Sequence, residues 1–456
     1  MKVSAVLLAA GQGTRMHSDV PKVLHSLCGK PMLWHVLEAL KSATTEKPLV
    51  IVGHGAQAVR EYVGDSAECV LQEPQLGTAH AAMQAEALLR GQTDYVIVSY
   101  ADMPLLRGET FRQLLETQRR NSGPFSLLTV IADDPRGFGR IVRKADGTVA
   151  AIVEEYVAMP EQRAIKELNV GAYCFKADWL WDALHRIEKN PKKGEYYLTD
   201  VVELAVKEDL PVQAVVHDDF METIGINTRV HLSEAEAALR MRINREHMLN
   251  GVSMMDPAST YIETDVKIGK DTTILPNTYL HGQTRIGERN VIGPNTIIRD
   301  TTIGNDCKIL ASVLEGAMIE DDVDMGPFAR LRKGAHLKSH VHMGNFGEVK
   351  DSILHEGVKM GHFSYIGNAN VGARTNIGAG TITANYDGEK KNTTEIGEDA
   401  FIGSDTMLVA PLKLGNGART GAGAVVTKNV PEDTLVVGMP ARAIRKVERK
   451  SKKPNH

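Results

Sequence analysis

The amino-acid sequence predicts an α/β fold in which an N-terminal domain is followed by a long linker helix and a C-terminal parallel β-helix of hexapeptide repeats. The first observation is that aliphatic residues recur at every sixth position through most of the C-terminal half. The second is that short apolar strands alternate with helical patterns in the N-terminal half. We therefore expect domains at 1–229 and 251–456, joined by a linker at 230–250.

The N-terminal domain is predicted to contain a mostly parallel sheet. Residues 3–10 are continuously apolar, which is typical of a strand that is buried on both faces. Strands that alternate with helices indicate an α/β fold, in which ligands bind beyond the carboxyl ends of the strands. The later segments of this pattern are strands at 49–52 and 95–98 and helices at 32–40, 79–89 and 110–119.

A loop with two glycines follows the first strand and indicates a phosphate site. Gly11 and Gly13 allow backbone N–H groups to converge on anionic oxygens, and Arg15 and Lys22 supply positive charge. Two glycines after a strand are often only a tight turn, but the spacing to Lys22 favours the phosphate interpretation. A dinucleotide-binding loop is not favoured, because no third glycine opens a helix and no acidic residue follows the strand at 49–52.

The linker and the repeats follow in order. Residues 231–250 suit a long helix, and Gly251 is a plausible stop. A repeat of six fits a coil of short strands in which one aliphatic side chain per side points inward, and we interpret the glycine that often follows it as allowing the corner to bend. Three long in-register runs argue against the alternative, an apolar-rich β-sandwich. The register breaks at 383–394, which predicts a loop on one face of the coil. The predicted inward-facing residues are Ile262, Ile268, Ile274, Leu280, Ile286, Ile292 and Ile298, then Ile319, Met325, Leu331, Leu337, Met343 and Val349, then Ile396, Ile402, Leu408 and Leu414.

Composition limits the possible partners and compartment. The net charge of −4 gives no indication of nucleic-acid binding. The four cysteines show no pair spacing, so we expect neither a disulfide framework nor a zinc site, and a reducing cytoplasm is the expected location. We find no cleavable leader and no apolar run of membrane length, and therefore expect no membrane partner. The basic run at 442–456 is predicted to be a solvated tail.

The stretch at 8–15, together with Pro21 and Lys22, resembles the motif of the sugar-1-phosphate nucleotidyltransferases. The resemblance implies that Gln72 and Gly77 recognise the base and that Asp102 and Asn227 hold magnesium. An Asp at the end of an apolar strand is also a good ligand for a hard cation, although it can serve simply as a helix cap. The residues implied to bind UTP or the UDP-sugar are Leu8, Ala9, Ala10, Gly11, Lys22, Gln72, Gly77, Thr78, Tyr100, Ala101, Asp102, Gly139, Glu154, Asn169 and Asn227.

The chemistry of such a site needs little from side chains. A sugar 1-phosphate is mostly dianionic at neutral pH, because its second pKa is about 6. It can therefore attack the α-phosphorus of UTP without a general base, and catalysis rests on positioning and charge neutralisation. Arg15 and Lys22 are the candidate catalytic residues, because they can neutralise charge on the pyrophosphate leaving group.

Polar residues at unusual positions of the repeats predict a second site. Together with the N-terminal motifs, they resemble the bifunctional bacterial family that makes UDP-N-acetylglucosamine, and the resemblance covers about residues 3–440. It implies a left-handed coil, a homotrimer through the β-helix with active sites between subunits, and acetyl-CoA as co-substrate. The implied ligands of glucosamine 1-phosphate are Arg332, Lys350, Tyr365 and Asn376, and those of acetyl-CoA are Ala379, Asn385, Tyr386, Ser404 and Ala422.

His362 is the candidate general base of this second site. The attacking amine must be neutral, and an unperturbed imidazole pKa near 6.5 suits the removal of its proton. A lone histidine is more often structural, but the neighbouring motifs favour catalysis. The backbone N–H of Ala379 is expected to stabilise the oxyanion.

Two segments differ from the family pattern. After Glu154 the chain has Glu155 and Tyr156 where the family has His or Gln and then Lys, which alters the edge of the sugar pocket. Near the end, 437–442 lacks the arginine expected to contact coenzyme A, and Arg442 is predicted to replace it, with Arg445 or Lys446 as alternatives.

Three hypotheses about function follow. The favoured one is a bifunctional enzyme that acetylates glucosamine 1-phosphate and then transfers uridylyl to the product. The alternative is a nucleotidyltransferase for another sugar phosphate, with a non-catalytic β-helix for oligomerisation. A purely structural solenoid is the third, and the N-terminal site argues against it.

Overall fold

The computed structural model describes residues 1–191 and 193–446. Residues 447–456, which make up most of the predicted basic tail, lie outside the described part. The chain divides into two compact units, Met1–Leu239 and Arg240–His456. Within the described residues, no helix is long and apolar enough to cross a membrane. The cysteines Cys69, Cys174 and Cys307 are free thiols.

The first unit is a mixed sheet covered by helices. Its strands are β1 (Val3–Leu8), β2 (Ser26–Leu27), β3 (Lys30–Pro31), β4 (Leu49–Val52), β5 (Glu68–Leu71), β6 (Tyr95–Tyr100), β7 (Phe125–Ile131), β8 (Arg140–Arg143), β9 (Val149–Val153), β10 (Glu167–Lys176) and β11 (Gln213–His217). Its helices are α1 (Met32–Leu40), α2 (Ala56–Val63), α3 (Thr78–Met83), α4 (Glu86–Leu89), α5 (Gly108–Arg120), α6 (Pro160–Arg163), α7 (Ala177–Leu184) and α8 (Val201–Lys207). The predicted single helix at 79–89 is wrong, because the chain turns at Gln84 and Ala85 between α3 and α4.

The sheet has the order β11-β7-β10-β6-β1-β4-β5, with β8 and β9 attached beside β10. β1 runs parallel to both β4 and β6, as the continuously apolar sequence of residues 3–8 predicts. The long strand β10 runs antiparallel to β6 and β7. The core consists of two separate groups of buried side chains. Leu7 belongs to one group and Leu8 to the other.

A 21-residue helix, α9 (Arg229–Leu249), occupies the predicted linker, and the boundary between the units falls within it. In the second unit, its last turns are fixed to the first coil of the β-helix. Asn244 Nδ2 donates hydrogen bonds of 2.8 and 2.9 Å to the carbonyl oxygens of Pro257 and Thr260. The Arg240 guanidinium lies 4.4 Å from the centre of the Tyr261 ring.

The second unit is a parallel β-helix with three faces, apart from one antiparallel strand at its end. Face A contains Ser253–Met254, Thr273–Ile274, Val291–Ile292, Lys308–Ile309, Asp324–Met325, His342–Asn345, Lys359–His362, Asn376–Ile377, Phe401–Ile402, Arg419–Thr420, Thr434–Val437 and Arg442–Lys446. Face B contains Thr260–Ile262, Thr278–His281, Ile297–Arg299, Val313–Glu315, Arg330–Leu331, Glu348–Lys350, Tyr365–Gly367, Ile382–Ala384, Met407–Val409 and Val425–Val426. Face C contains Lys267–Ile268, Arg285–Ile286, Thr302–Ile303, Met318–Ile319, His336–Leu337, Ile353–Leu354, Ala369–Val371, Thr394–Ile396 and Leu412–Leu414.

The repeat of six places one aliphatic side chain of each side in a continuous core. All of the predicted inward-facing residues are buried except Ile268, which is half-buried. Ile274 pairs with Ile292 at a spacing of 18 residues, but Ile309 pairs with Met325 at 16, which is why the run restarts near Ile319. A parallel β-helix of hexapeptide repeats is therefore confirmed, and its geometry is consistent with the left-handed form.

The glycines that follow the aliphatic residues serve a different purpose from the predicted one. Most of them have ordinary φ angles, and what they provide is space between coils: a Cβ on Gly287 would lie 2.5 Å from the carbonyl oxygen of Gly304 on the next coil. The left-handed residues at the corner between faces C and A are mostly polar. They include Asp271, Arg289, Asp306, Asp322, His340, Arg374 and Asp399.

Candidate active sites

The carboxyl ends of β1 and β6 border a cavity of about 500 Å³. These strands are parallel neighbours, so the loops that follow Leu8 and Tyr100 lie at the same edge of the sheet. Most of the nucleotide-binding residues predicted from the sequence meet here. The lining is Leu8, Ala9, Ala10, Gly11, Gln12, Lys22, Val23, Gln72, Gln75, Gly77, Thr78, Ala81, Tyr100, Asp102 and Glu195.

The Lys22 ammonium contacts both of the predicted metal ligands. It donates one hydrogen bond to Asp102 Oδ2 and another, of 3.1 Å, to Asn227 Oδ1. The backbone N–H of Ile226 donates a 2.9 Å hydrogen bond to the carbonyl oxygen of Asp102, which fixes the segment that carries Asn227. The side chains of Lys22 and Asp102 are only 14% and 21% exposed. Two oxygens from distant parts of the chain therefore converge on one cation.

Gly13 and Gly77 are required by the backbone around this cavity. Their φ angles are 63° and 100°, in the left-handed region that side chains disfavour. A Cβ on Gly13 would lie 2.7 Å from Lys22 Cβ, and a Cβ on Gly77 would lie 2.5 Å from the carbonyl oxygen of Tyr196. Each glycine thus allows a neighbouring segment to approach the cavity closely.

The predicted sugar-binding residues Gly139, Glu154 and Asn169 lie together. The backbone N–H of Asn169 donates a 2.8 Å hydrogen bond to the carbonyl oxygen of Gly139, and a Cβ on Gly139 would lie 3.8 Å from Glu154 Cδ. Thr199 Oγ1 donates a 3.2 Å hydrogen bond to Glu154 Oε1. Burial raises the pKa of Glu154, and burial with the Glu154 charge raises the pKa of the Tyr100 phenol. Tyr100 therefore links this group to the cavity.

Besides Gly139, Glu154, Asn169 and Asn227, two further predicted residues do not line the cavity. Arg15 is exposed on the 3-10 turn Thr14–Met16. Ala101 is fully buried in the core, and its N–H donates a 3.0 Å hydrogen bond to the carbonyl oxygen of Leu8.

Sequence reasoning did not single out four of the lining residues, namely Gln12, Val23, Gln75 and Ala81, whereas Glu195 resembles a sugar-binding residue of the family and also lines the cavity. Gln12 stands between the two glycines of the loop, and Gln75 lies between Gln72 and Gly77. Their positions beside predicted ligands were the signal that could have identified them.

The predicted acetyl-CoA residues Ala379, Ser404 and Ala422 lie on consecutive coils at the corner where face A leads into face B. The N–H of Asp405 donates a 2.6 Å hydrogen bond to the carbonyl oxygen of Ala379, and the N–H of Gly423 donates one of 2.8 Å to that of Ser404. Residues separated by 25 and 18 positions therefore form one column.

His362 lies at the same corner, one coil earlier. Ser364 Oγ is 2.8 Å from the carbonyl oxygen of His362 and 3.1 Å from that of Gly378, which joins the two coils. His362 Nδ1 lies 2.8 Å from Asn345 Oδ1, a residue that the sequence reasoning did not single out. With Nδ1 donating to that amide oxygen, Nε2 is left to accept a proton.

Three cationic side chains gather at the far end of face B. Arg332 Nη1 donates a 3.0 Å hydrogen bond to Glu348 Oε1, and Lys350 follows in the same strand as Glu348. Lys391 reaches this group from the inserted loop, where the Lys350 ammonium first, and Arg332 more weakly, lower its pKa. Mutual repulsion between these cations is relieved by a bound anion. Lys391 was absent from the predicted set of ligands.

The inserted loop is held together by Asp387. Its carboxylate accepts hydrogen bonds of 2.9, 2.8 and 2.8 Å from the N–H groups of Glu389 and Lys390 and from Asn392 Nδ2. These bonds lower the pKa of Asp387 to about 2. The loop therefore has a defined shape.

Asn385 and Tyr386 begin this loop. Asn385 is buried and donates a 2.7 Å hydrogen bond from Nδ2 to Asn368 Oδ1. The Tyr365 hydroxyl and Asn385 Nδ2 both lie against the backbone of Gly367, so Tyr365 extends along face B towards the cationic group. The Tyr386 ring is 62% exposed.

Asn376 and Arg442 lie apart from these residues within the described chain. Asn376 is on face A, paired with Lys359 and Phe401. Arg442 starts the strand Arg442–Lys446, so these five residues of the predicted solvated tail are an exposed antiparallel strand instead.

Comparison with known families agrees with both halves of the structure. The model of the MobA-like NTP transferase domain matches residues 5–167. The bacterial transferase hexapeptide (six repeats) matches residues 265–300, and the hexapeptide repeat of succinyl-transferase matches residues 393–428. Fold, sites and matches together define a nucleotidyltransferase joined to a hexapeptide-repeat acyltransferase.

Curated relatives match the whole chain. The bifunctional protein GlmU of Geobacillus sp. (strain WCH70) is 46% identical over 100% of both chains. The bifunctional protein GlmU of Streptococcus agalactiae (serotype V) is 44% identical over 99% of this chain and 98% of its own, and that of Syntrophomonas wolfei is 46% identical over 96% and 97%. The chain belongs to the GlmU family. This membership confirms the predicted bifunctional transferase and favours it over a nucleotidyltransferase with a non-catalytic β-helix.

Proposed function

We propose that the chain makes UDP-N-acetylglucosamine in two reactions. The β-helix transfers acetyl from acetyl-CoA to glucosamine 1-phosphate, and the N-terminal unit transfers uridylyl from UTP to N-acetylglucosamine 1-phosphate with release of pyrophosphate. The observation that carries the proposal is the cationic group Arg332, Lys350 and Lys391 at the far end of face B, the face that carries Tyr365 and begins at the corner with His362. A scaffold would not need this arrangement.

In the N-terminal unit, the sugar 1-phosphate oxygen attacks the α-phosphorus of UTP and the bond to pyrophosphate breaks. Gln72 and Gly77, which line the cavity, would hold the base, and the backbone of Gly11 would bind the phosphates from the end of β1. Lys22 neutralises the charge that develops on the pyrophosphate. Gly139, Glu154 and Asn169 would bind the sugar beside Tyr100. Arg15, exposed on its turn, would reach the outer phosphates.

The side-chain oxygens of Asp102 and Asn227 also fit Mg²⁺. Asp102 and Asn227 offer a carboxylate and an amide oxygen that already face the Lys22 ammonium, and hard cations prefer oxygen ligands. Among the described residues no group of three or more His, Cys, Asp or Glu is arranged to hold a metal, so the remaining ligands would be phosphates and water. When bound, Mg²⁺ would be held by Asp102 and Asn227 and would offset negative charge on the phosphates.

In the β-helix, the sugar amine attacks the thioester carbon of acetyl-CoA and the carbon–sulfur bond breaks. His362 Nε2 takes the amine proton and delivers it to the departing thiolate, while Asn345 fixes the imidazole. Arg332, Lys350 and Lys391 would hold the sugar phosphate. The Ala379 N–H would stabilise the oxyanion, and the column of Ser404 and Ala422 would line the coenzyme.

We further propose a homotrimer through the β-helix and a cytoplasmic location. Asn376 lies on face A, whereas Lys350 and Tyr365 lie on face B, which supports a site completed by a second copy. Exposed phenylalanines follow one corner in successive coils, and the rings of Phe328 and Phe346 stack at 5.4 Å. Free thiols suit a reducing compartment.

The test measures release of free coenzyme A from acetyl-CoA and glucosamine 1-phosphate without UTP. The His362→Ala variant should lose about 100- to 10,000-fold in kcat, because a general base contributes that much. The control His340→Ala removes an exposed histidine that pairs with Asp322 elsewhere on the β-helix, and it should keep full activity. Adding UTP and Mg²⁺ should then yield pyrophosphate. Absence of thiol release would contradict the acetyl transfer, and absence of pyrophosphate from supplied N-acetylglucosamine 1-phosphate would contradict the uridylyl transfer.

A further inference from the structure

The turn at 154–157 carries a side-chain pair that the family pattern does not predict. The N–H of Val157 donates a 3.1 Å hydrogen bond to the carbonyl oxygen of Glu154, which closes the turn. Tyr156 is 44% exposed, and the Lys193 ammonium lies over its ring, 4.1 Å from the centroid. This distance is that of a cation–π interaction, in which the ring face attracts and orients the ammonium.

The turn is firmly attached on its other side. Arg140 Nη1 lies 3.6 Å from Glu155 Oε2, and the Arg140 side chain is only 3% exposed. The Glu155 side chain is 41% exposed, so the contact joins a buried guanidinium to a partly exposed carboxylate. Tyr156 is therefore tied to the sheet through its neighbour Glu155.

The segment that follows Lys193 runs along the cavity. Glu195 lines the cavity, and the N–H of Tyr196 donates a 2.8 Å hydrogen bond to the carbonyl oxygen of Leu76. The N–H of Leu198 donates one of 2.9 Å to Thr78 Oγ1. Lys193 is thus attached through a short rigid segment to the wall of the UTP cavity, and its position is coupled to the site.

The same segment reaches the sugar-binding carboxylate. Thr199 Oγ1 donates a 3.2 Å hydrogen bond to Glu154 Oε1, and the positive charge of Lys193 acts on Glu154, opposing the rise in its pKa that burial causes. Asp200 and Glu203 add negative charge nearby. Lys193 is therefore a cation whose charge acts on Glu154.

We propose that Tyr156 and Lys193 form the specificity-determining edge of the sugar subsite, where the Tyr156 ring holds the Lys193 ammonium beside Glu154 so that both charged groups bind the sugar hydroxyls. A hydroxyl donates to a carboxylate and accepts from an ammonium, so the pair suits a polyhydroxylated ring. The inference rests on the proposed uridylyl transfer. It also accounts for the altered turn: the lysine that the family carries there is replaced by one from the facing segment.

The test is a comparison of KM values in uridylyl transfer without acetyl-CoA. Lys193→Gln should raise the KM for N-acetylglucosamine 1-phosphate about tenfold, as expected for loss of a charged hydrogen bond. Tyr156→Leu should raise it about threefold, because it removes the cation–π interaction together with the hydrogen bond between Tyr156 and Tyr197. Tyr156→Phe keeps the ring and should stay within about twofold of the parent. The KM for UTP and the melting temperature should not change in any of them.

The matched control is Lys189→Gln, which removes an exposed lysine just before the same segment and should leave both KM values unchanged. An unchanged sugar KM in Lys193→Gln would overturn the inference, and so would an equal rise in the KM for UTP, which would mark a general structural role. A parent protein that forms no pyrophosphate at all would overturn the proposed uridylyl transfer together with it. Normal parent activity with unaffected variants would overturn only the sugar edge.

Discussion

The two units build their sites in opposite ways. In the N-terminal unit, Lys22 contacts Asp102 and Asn227, which are 80 and 205 residues away in sequence. In the β-helix, Ala379, Ser404 and Ala422 are consecutive members of one column at one corner. The first site depends on strand order and on loops of unequal length, whereas the second depends on a repeat. A periodic fold therefore converts sequence spacing directly into spatial proximity, and a non-periodic fold does not.

The largest expected effect is the loss of one reaction while the other is retained. Lys22→Met removes the ammonium that bonds Asp102 and Asn227 and would neutralise the leaving group. We expect uridylyl transfer to lose about 100- to 1,000-fold in kcat, the range seen when one charge-stabilising donor is removed. Acetyl transfer should be unchanged, because His362 and its neighbours belong to the other unit. Pyrophosphate and thiol release, measured on the same preparation, report the two reactions separately.

The control for this change is Lys41→Ala, since Lys41 forms only an exposed pair with Glu38. It should leave both reactions intact. Equal loss of both reactions in Lys22→Met would show that the two sites are not independent.

The same contrast explains how much could be predicted from the sequence. The period of six predicted the β-helix and the inserted loop, because every coil obeys one rule. In the N-terminal unit, local pattern predicted β4 and α1 to the residue, but it could not show that β10 runs antiparallel between β6 and β7, which is a matter of topology. Lys391 was missed because it reaches its site from a loop, where no repeat fixes its neighbours.

A core substitution tests whether the repeat unit loses stability by itself. Leu337 is fully buried on face C, and Leu337→Ala should destabilise the β-helix by about 2–5 kcal/mol through the cavity it leaves. The temperature of half-inactivation should fall for acetyl transfer and stay the same for uridylyl transfer. Met318→Ala, on the preceding coil of face C, is the control, because Met318 is 49% exposed. A parallel fall in both temperatures would contradict independent units.

The smallest expected effect concerns the acidic group beside the sugar subsite. Burial, then Glu203 and Glu154, raise the pKa of Asp200 from 3.8 to about 6. A raised carboxyl pKa means that the folded state favours the protonated form, so this contribution to stability is fully present below about pH 4 and is lost as the pH rises through about 6. Above that pH the folded protein must bury a carboxylate near two others. Asp200→Asn removes this cost and should raise the melting temperature of the N-terminal unit at pH 8 by about 2–4 °C.

The pH dependence distinguishes this electrostatic effect from a change in packing. At pH 5 the carboxyl of Asp200 is mostly protonated in the folded protein but already ionised in the unfolded chain, so about half of the cost is present and the asparagine variant should show about half of the gain expected at pH 8. Asp218→Asn, at an exposed position of the same unit, should change the melting temperature at neither pH. An equal gain for Asp200→Asn at pH 5 and pH 8 would assign it to packing. A gain that increases from pH 5 to pH 8 would show that the α/β unit accepts a destabilised carboxylate at its sugar edge, in contrast to the β-helix, where the exposed Asp387 is stabilised as an anion by its own loop.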